Sequence, residues 1–396
     1  MKRAATALLV VACAGAPAGA AWDFFGSASA AGGRTDNPRF QSSTVSSNAR
    51  RSELAAFVRL SGGLRREWVA SHLEFFYSPM GTFYEDSDLN DLTHSLGASW
   101  DHMFSRRTRI SLQEAALFTS EQIVDPNSNV NNNQILTERS RSFYNNFRVT
   151  LNHEIDPKNG LTFNFRDTTR YFSADTYVDN LNHQIGAAYR RNLSQRTSIS
   201  AGYDASYLEF RDGDPNSDPG ESTVHTVVGG WSWSAVRGFG TNIAAGYSVL
   251  DSTDPGIGSH GALYFNTQLS YSSQRVFSAA GGYSRGFDTG GGAFANSLSQ
   301  NAYASVRAVF TQRWNSELYF SYNIHNRVEN TATAGTERNS VDTFTGRASL
   351  NYQFATDWSA GLSYTRFAQS QDVGTAPAAP DIRTNRYYFS LTWSFT

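Results

Sequence analysis

The run Gly261-Ala-Leu-Tyr-Phe-Asn-Thr-Gln-Leu-Ser-Tyr271 places Leu263, Phe265, Thr267, Leu269 and Tyr271 at alternate positions, with Tyr264, Asn266, Gln268 and Ser270 between them. Successive side chains of a β-strand point to opposite faces, so this segment reads as a strand with one apolar and one polar side. The same period of two recurs as Leu54/Ala56/Val58/Leu60, Phe147/Val149/Leu151, Leu161/Phe163/Phe165, Ile199/Ala201/Tyr203, Leu318/Phe320/Tyr322/Ile324, Phe344/Gly346/Ala348/Leu350/Tyr352/Phe354 and Phe389/Leu391/Trp393/Phe395. No break in composition divides the stretch from 21 to 396, which therefore reads as one domain.

Strands are predicted near 22-32, 50-62, 66-78, 90-103, 107-119, 139-154, 159-173, 178-192, 196-210, 222-236, 238-251, 258-273, 275-287, 297-311, 314-328, 340-355, 358-369 and 384-396. Short connections, such as Gly63-Leu64-Arg65, Asp156-Pro157-Lys158, Leu193-Ser194-Gln195 and Thr356-Asp357, alternate with long polar ones such as 33-49, 120-138, 211-221 and 370-383. An even strand count with short turns on one side and long loops on the other is the pattern of a single transmembrane antiparallel up-and-down β-barrel of 16 to 18 strands in a bacterial outer membrane. Both termini then lie on the periplasmic side.

Composition agrees. The charged fraction is 17% and the aromatic fraction 14%, an oily balance for a surface bathed in water. Yet the mean hydropathy is -0.44, and past the N-terminus no apolar run approaches the roughly 20 residues of a membrane helix. Only a closed barrel, whose alternation averages to a hydrophilic score, reconciles the two. A net charge of -2 argues against a nucleic-acid partner.

Residues 1-20 open with Lys2-Arg3, continue through a short apolar core and end at Ala18-Gly19-Ala20, the pattern of a cleaved secretory signal. The single cysteine, Cys13, falls inside it, so the mature barrel has neither disulfides nor thiolate metal sites. The ten prolines are expected outside the strands, because proline cannot donate to a ladder. Trp22, Trp68, Trp100, Trp231, Trp233, Trp314, Trp358 and Trp393 all fall near a terminus or a short turn. That is the signature of a periplasmic aromatic girdle.

Stretches near the N-terminus carry a likeness: Gly26-Ser-Ala-Ser-Ala-Ala-Gly-Gly-Arg-Thr-Asp-Asn37, Arg51-Ser-Glu-Leu54, Ser61-Gly-Gly-Leu-Arg65, Leu73-Glu-Phe-Phe-Tyr77 and Leu92-Thr-His-Ser-Leu-Gly-Ala98. Over about the first hundred residues the chain resembles the β-barrel porin family found with exopolysaccharide and PEP-CTERM/exosortase gene clusters. The resemblance implies a role in making, exporting or anchoring surface polysaccharide. The C-terminal strand Tyr387 to Thr396 also resembles the targeting signal read by the barrel-assembly machinery, with Phe395 penultimate rather than last.

A barrel of this strand number is wide enough for a watery lumen. With the apolar stripes turned to lipid, the opposite parity puts Arg59, Arg148, Arg166, Arg170, Arg307 and Arg347 inside, together with His72, Glu74, Asp204 and Glu317. Guanidinium groups grip carboxylate, sulfate or phosphate with two prongs, so such a lining suits anionic solutes or an acidic sugar chain. The alternative is that these arginines only balance interior carboxylates. Tyr144, Tyr264, Tyr303 and Tyr319 share the interior parity and could stack on sugar rings. Asp212, Asp214, Asn216 and Asp218 are spaced like early calcium ligands, but Ser217 and Thr223 stand where such a loop needs glycine and glutamate, so a solvated outer loop explains them better. No H-E-x-x-H, G-x-S-x-G or phosphate-binding glycine loop occurs. The reading is therefore a non-enzymatic outer-membrane channel without cofactor or metal, in contact with lipid and lipopolysaccharide and tied to polysaccharide export. A general small-solute porin, and a structural or adhesive barrel with a blocked lumen, are the alternatives.

Overall fold

The computed structural model describes residues 22-37, 52-85, 89-119, 141-173, 179-211, 220-235, 238-254, 257-273, 276-288, 296-328, 340-372 and 381-395. The signal segment, Cys13, the aspartate-rich segment 212-218, the asparagine tract 127-133 and most of the long loops lie outside them.

Eighteen strands account for nearly every described residue: β1 Asp23–Thr35, β2 Glu53–Glu67, β3 Ser71–Tyr84, β4 Asp91–Ser105, β5 Thr108–Thr119, β6 Ser142–Glu154, β7 Asn159–Phe172, β8 Asp179–Asn192, β9 Thr197–Arg211, β10 Glu221–Ser234, β11 Phe239–Ser252, β12 Ser259–Ser273, β13 Phe277–Asp288, β14 Ser297–Val309, β15 Trp314–Arg327, β16 Ser340–Gln353, β17 Trp358–Asp372 and β18 Ile382–Phe395. Each pairs antiparallel with its neighbours in sequence, and β1 pairs with β18 from Gly26↔Phe395 to Thr35↔Arg386. The sheet is thereby a ring with no free edge, and each strand is hydrogen-bonded to a neighbour on both sides.

The expected strands are found within a few residues, with one displaced corner. Gly63-Leu64-Arg65, expected as a turn, lies inside β2, and the chain reverses instead at Trp68-Val69-Ala70. Gly63 is there for packing: the Phe25 ring from β1 lies where its side chain would stand. The displacement carries Pro79 into β3, contrary to the expectation that every proline avoids a strand. Its missing N–H coincides with a gap in the β2–β3 ladder, whose register runs Arg59↔Met80 and resumes at Gly62↔Tyr77.

Following cross-strand partners around the ring sorts the wall into two faces. One carries Leu54, Val58, Leu60, Ile185, Val227, Leu263, Leu318, Leu362 and Phe389, all exposed. The other carries the largest fully buried side chains among the described residues, Leu208, Leu250, His325, Val341, Thr35, Thr119, Thr384, Ser222 and Ser248, and is therefore the inner face. An apolar exterior around a polar interior matches hydrocarbon outside and water inside. At the short-turn end the outward tryptophans stack into a belt: Trp314 on Tyr352 at 4.5 Å, Trp358 near Trp393 at 6.3 Å and Trp393 on Phe395 at 5.0 Å. Arg66 lies over both Trp22 and Trp68. Trp100, Trp231 and Trp233 face outward on β4 and β10 at the same end.

The turn between β6 and β7 is capped by Asp156. Its carboxylate accepts from the backbone N–H of Lys158 at 2.7 Å and of Asn159 at 2.9 Å, and from Asn159 Nδ2 at 2.7 Å. The Asn159 side-chain bond, followed by the Lys158 backbone bond, holds its pKa below the ordinary carboxylate value.

Three outcomes follow. Leu391→Arg, on the outer face, should cost about 2 to 4 kcal/mol if it sits near mid-membrane, whereas Ser390→Arg, turned inward, should cost far less; urea unfolding in liposomes compares them, and equal losses would contradict the facing. Gly33→Val should prevent closure, because a side chain there runs into the Tyr387 carbonyl at the β1–β18 seam; loss of the heat-modifiable gel shift is the readout. A depressed pKa means that the Asp156 cap contributes fully above the ordinary carboxylate range near pH 4 and is lost as pH falls through its lower folded-state value. Asp156→Ala should therefore lower stability at pH 7 and make no difference at strongly acid pH.

Candidate functional site

All ten sequence-predicted lumen residues, Arg59, His72, Glu74, Arg148, Arg166, Arg170, Asp204, Arg307, Glu317 and Arg347, stand on the inner face when partners are followed strand to strand. The structure divides them into separate groups.

The first is cationic and lies on β6 and β7. Arg148 and Arg166 are direct cross-strand partners, flanked by Gln113 on β5 and Gln184 on β8. Neither makes an ion pair with a described carboxylate; Arg166 Nε donates to Asn146 Oδ1 at 2.8 Å. One step toward the long-loop end, Arg170 is buried against Tyr144, its guanidinium 5.2 Å from the ring centroid. A flat cation on an aromatic face keeps its plane fixed. Three guanidiniums thus climb one stretch of inner wall, and the amides of Gln113, Asn146, Asn164 and Gln184 around them supply neutral hydrogen-bonding groups. Arg148 and Arg166, juxtaposed cations with no described carboxylate in ion-pair contact, make a place for an anion.

The second group is mixed in charge and sits at the short-turn end of β1 to β5. Arg65 lies 3.6 Å from Asp23, His72 lies 3.3 Å from Glu67 and 3.7 Å from Glu74, and Arg109 donates to Asp101 at 2.9 Å. Here the inner charges compensate one another, as the charge-balancing alternative expects. Asp23, Arg65, Glu67, Asp101 and Arg109 were not singled out from the sequence, although the same inward parity marks them.

Arg307 and Glu317 are cross-strand partners on β14 and β15, and Arg347 stands opposite Tyr319 on β16, yet no described carboxylate lies within ion-pair distance of either arginine. Asp204 reaches over Gly186, whose missing side chain leaves room for the carboxylate between β8 and β9. Tyr264, Tyr303 and Tyr319 face inward on β12, β14 and β15, apart from the arginine column.

The lumen differs from end to end. Toward the short turns, Arg148, Asn152, Asn164, Arg190, Asn266, Gln268 and Arg307 are open to solvent. Toward the long loops the inner wall is solvent-excluded and partly apolar: Leu208, Phe210, Val224 and Leu250 form a cluster, with Ile257 and Phe287 packed on it. Asn296, just before β14, donates from Nδ2 to Ser222 Oγ on β10 at 3.0 Å, a link that skips three strands. The buried His325 lies 3.7 Å from Asp288 in the same region. The sequence reading missed this apolar inner end because it took apolar residues as outward. Among the described residues no group of three or more His, Cys, Asp or Glu side chains could hold a metal ion.

No protein-family model matches the chain, and no curated protein matches it. Among solved structures it is similar to the siderophore receptor PirA from Acinetobacter baumannii, at 8% identity and a TM-score of 0.47, covering 94% of this chain and 80% of that one. It is also similar to the FrpB iron transporter from Neisseria meningitidis, at 9% identity, TM-score 0.46 and coverage of 94% and 82%. A third is OccK5 (OpdH) from Pseudomonas aeruginosa, at 13% identity, TM-score 0.43 and coverage of 94% and 99%. At these scores the likenesses carry no inference, and the closed barrel rests on its own strand pairing.

The glycine beneath Asp204 gives a local test. Gly186→Leu should displace the carboxylate into the lumen, leaving folding intact while changing single-channel conductance. An unchanged conductance would show that Asp204 does not line the permeation path.

Proposed function

We propose that the protein is an outer-membrane channel for anionic solutes, with the Arg148–Arg166–Arg170 column as its selective element. The observation that carries this reading is the direct opposition of Arg148 and Arg166 on the inner wall, with no described carboxylate in ion-pair contact with either. Two guanidiniums held side by side repel each other unless an anion or water lies between them, so the arrangement favours passage of carboxylate, sulfate or phosphate groups. The short-turn end faces the periplasm, where a solute meets the compensated rim of Asp23, Arg65, Glu67, His72 and Glu74 before it reaches the cations. Lipid and lipopolysaccharide surround the wall, and the barrel-assembly machinery inserts it.

The resemblance of the N-terminal hundred residues to porins of exopolysaccharide clusters narrows the solute to an acidic surface polysaccharide on its way out, in partnership with periplasmic export components. General diffusion of small solutes is the broader form of the same reading. A second reading, a structural barrel closed at its outer end, is favoured by the buried apolar cluster around Leu208 and Leu250.

Planar-bilayer recording of the refolded protein separates these. A channel should conduct, with reversal potentials under a salt gradient that show anion preference. Arg148→Ala combined with Arg166→Ala should move that potential toward zero while the heat-modifiable shift persists. Addition of an acidic oligosaccharide should block the wild type and leave the double variant open. Absence of conductance in wild-type protein would favour the closed structural barrel, and a reversal potential unmoved by the arginine changes would remove the selective column.

A further inference from the structure

The ladder between β12 and β13 runs from Ser273↔Phe277 to Phe265↔Arg285 and stops there, although β12 reaches back to Ser259 and β13 goes on to Asp288. Beyond that point β12 stays paired with β11 as far as Asp251↔Ser259, and β13 with β14 as far as Asp288↔Ser297. The long-loop ends of β13 and β14 have therefore left β12 together, as a two-stranded arm. Three contacts show where the arm goes. β13 touches β11, reaching past the strand between them. Phe287 packs on Leu208, Phe210, Val224 and Leu250, which line the inner face of β9 to β11. Asn296, just before β14, donates to Ser222 Oγ on the inner face of β10 at 3.0 Å. By alternation Phe287 and Asn296 belong to the lipid-facing side, because outward Phe265 pairs with Arg285, two residues before Phe287, and Phe287 pairs with Leu298, two residues after Asn296. That side now rests on the inner wall, which requires the arm to be folded into the lumen. On its opposite side Asp288 lies 3.7 Å from His325 of β15, and its charge also acts on Arg170 of β7.

We propose that this arm is the outer gate of the channel, shut in this structure, and that it opens by zipping back onto β12. The proposal rests on the channel reading above. Continuing the β12–β13 register would pair Tyr264 with Gly286, Leu263 with Phe287 and Ala262 with Asp288. Leu263 is 65% exposed, so the wall has room beside it for the Phe287 ring. The wall seat offers further ladder bonds and an outward phenylalanine; the inner seat offers the apolar cluster and the Asn296–Ser222 bond. Each seat satisfies the same side chains in a different way, which makes the arm a two-state element. In the inner seat Phe287 and Asp288 stand over the lumen, and in the wall seat they clear it. Arg170 ends the arginine column, so an acidic solute arriving there competes with Asp288 for its charge and favours release of the arm.

The test records planar-bilayer currents from full-length protein in a Cys13→Ser background. Ser222→Cys with Asn296→Cys ties the arm to β10, and its oxidised form should conduct several-fold less than its reduced form. Leu263→Cys with Phe287→Cys ties the arm to β12, and oxidation should raise the open fraction several-fold. Mass spectrometry verifies each disulfide, and the heat-modifiable shift verifies folding. Currents indifferent to both disulfides would overturn the gate and leave the channel standing. Silence of every variant in both redox states would overturn the channel reading itself, and the gate with it. A β12 tie that never forms while the β10 tie does would show a fixed arm and also overturn the proposal. Should the paired cysteines fail to fold, Phe287→Ala, which weakens the inner seat, decides: a larger open fraction supports the gate, and an unchanged or smaller one contradicts it.

Discussion

The structure depends on one pairing, the ten-residue ladder between β1 and β18. Without it the sheet has two edges, each a row of unpaired N–H and C=O groups facing lipid, where a missing hydrogen bond costs several kcal/mol. With it the backbone is satisfied internally, and side chains are free to sort by solvent. That sorting produces every later feature: the aromatic belt at the short-turn end, the oily exterior and the charged inner wall. Small residues at the seam, Gly26 and Gly33 among them, let the Phe395 ring and the Tyr387 carbonyl come close enough to close it.

Much of this was legible in the sequence because a period of two is a local signal that survives any arrangement of neighbours. Leu263, Phe265 and Leu269 declare their face without knowledge of β11 or β13. The strand count, the alternation of connections and the inward parity of the ten candidate residues all come from that signal. What failed was what depends on a neighbour. Gly63-Leu64-Arg65 looks like a reversal when read alone, but Gly63 makes room for the Phe25 ring of β1. Pro79 looks excluded from a strand until its gap in the β2–β3 ladder is seen.

The sorting rule also misleads where solvent is not the nearest neighbour. Leu208, Leu250 and Val341 point inward because the long-loop end of the lumen is packed rather than wet. Glu114 and Asp167 point outward within the apolar band, a placement that equating polar with inward overlooks. These exceptions are where the wall departs from a plain pipe. The inner arginines follow the rule but acquire meaning only through pairing: Arg109 is answered by Asp101, while Arg148 faces Arg166. One barrel therefore holds a compensated rim and, farther along the inner wall, a pair of arginines that no described carboxylate answers.

Ring closure is tested most directly by hydrogen exchange on the protein refolded in lipid, read amide by amide along β1 and β18. The account predicts that amides of Gly26 to Thr35 and of Arg386 to Phe395 are as strongly protected as those of β7 and β8 in the middle of the chain. Fast exchange confined to β1 and β18 would reveal an open edge and contradict the barrel itself.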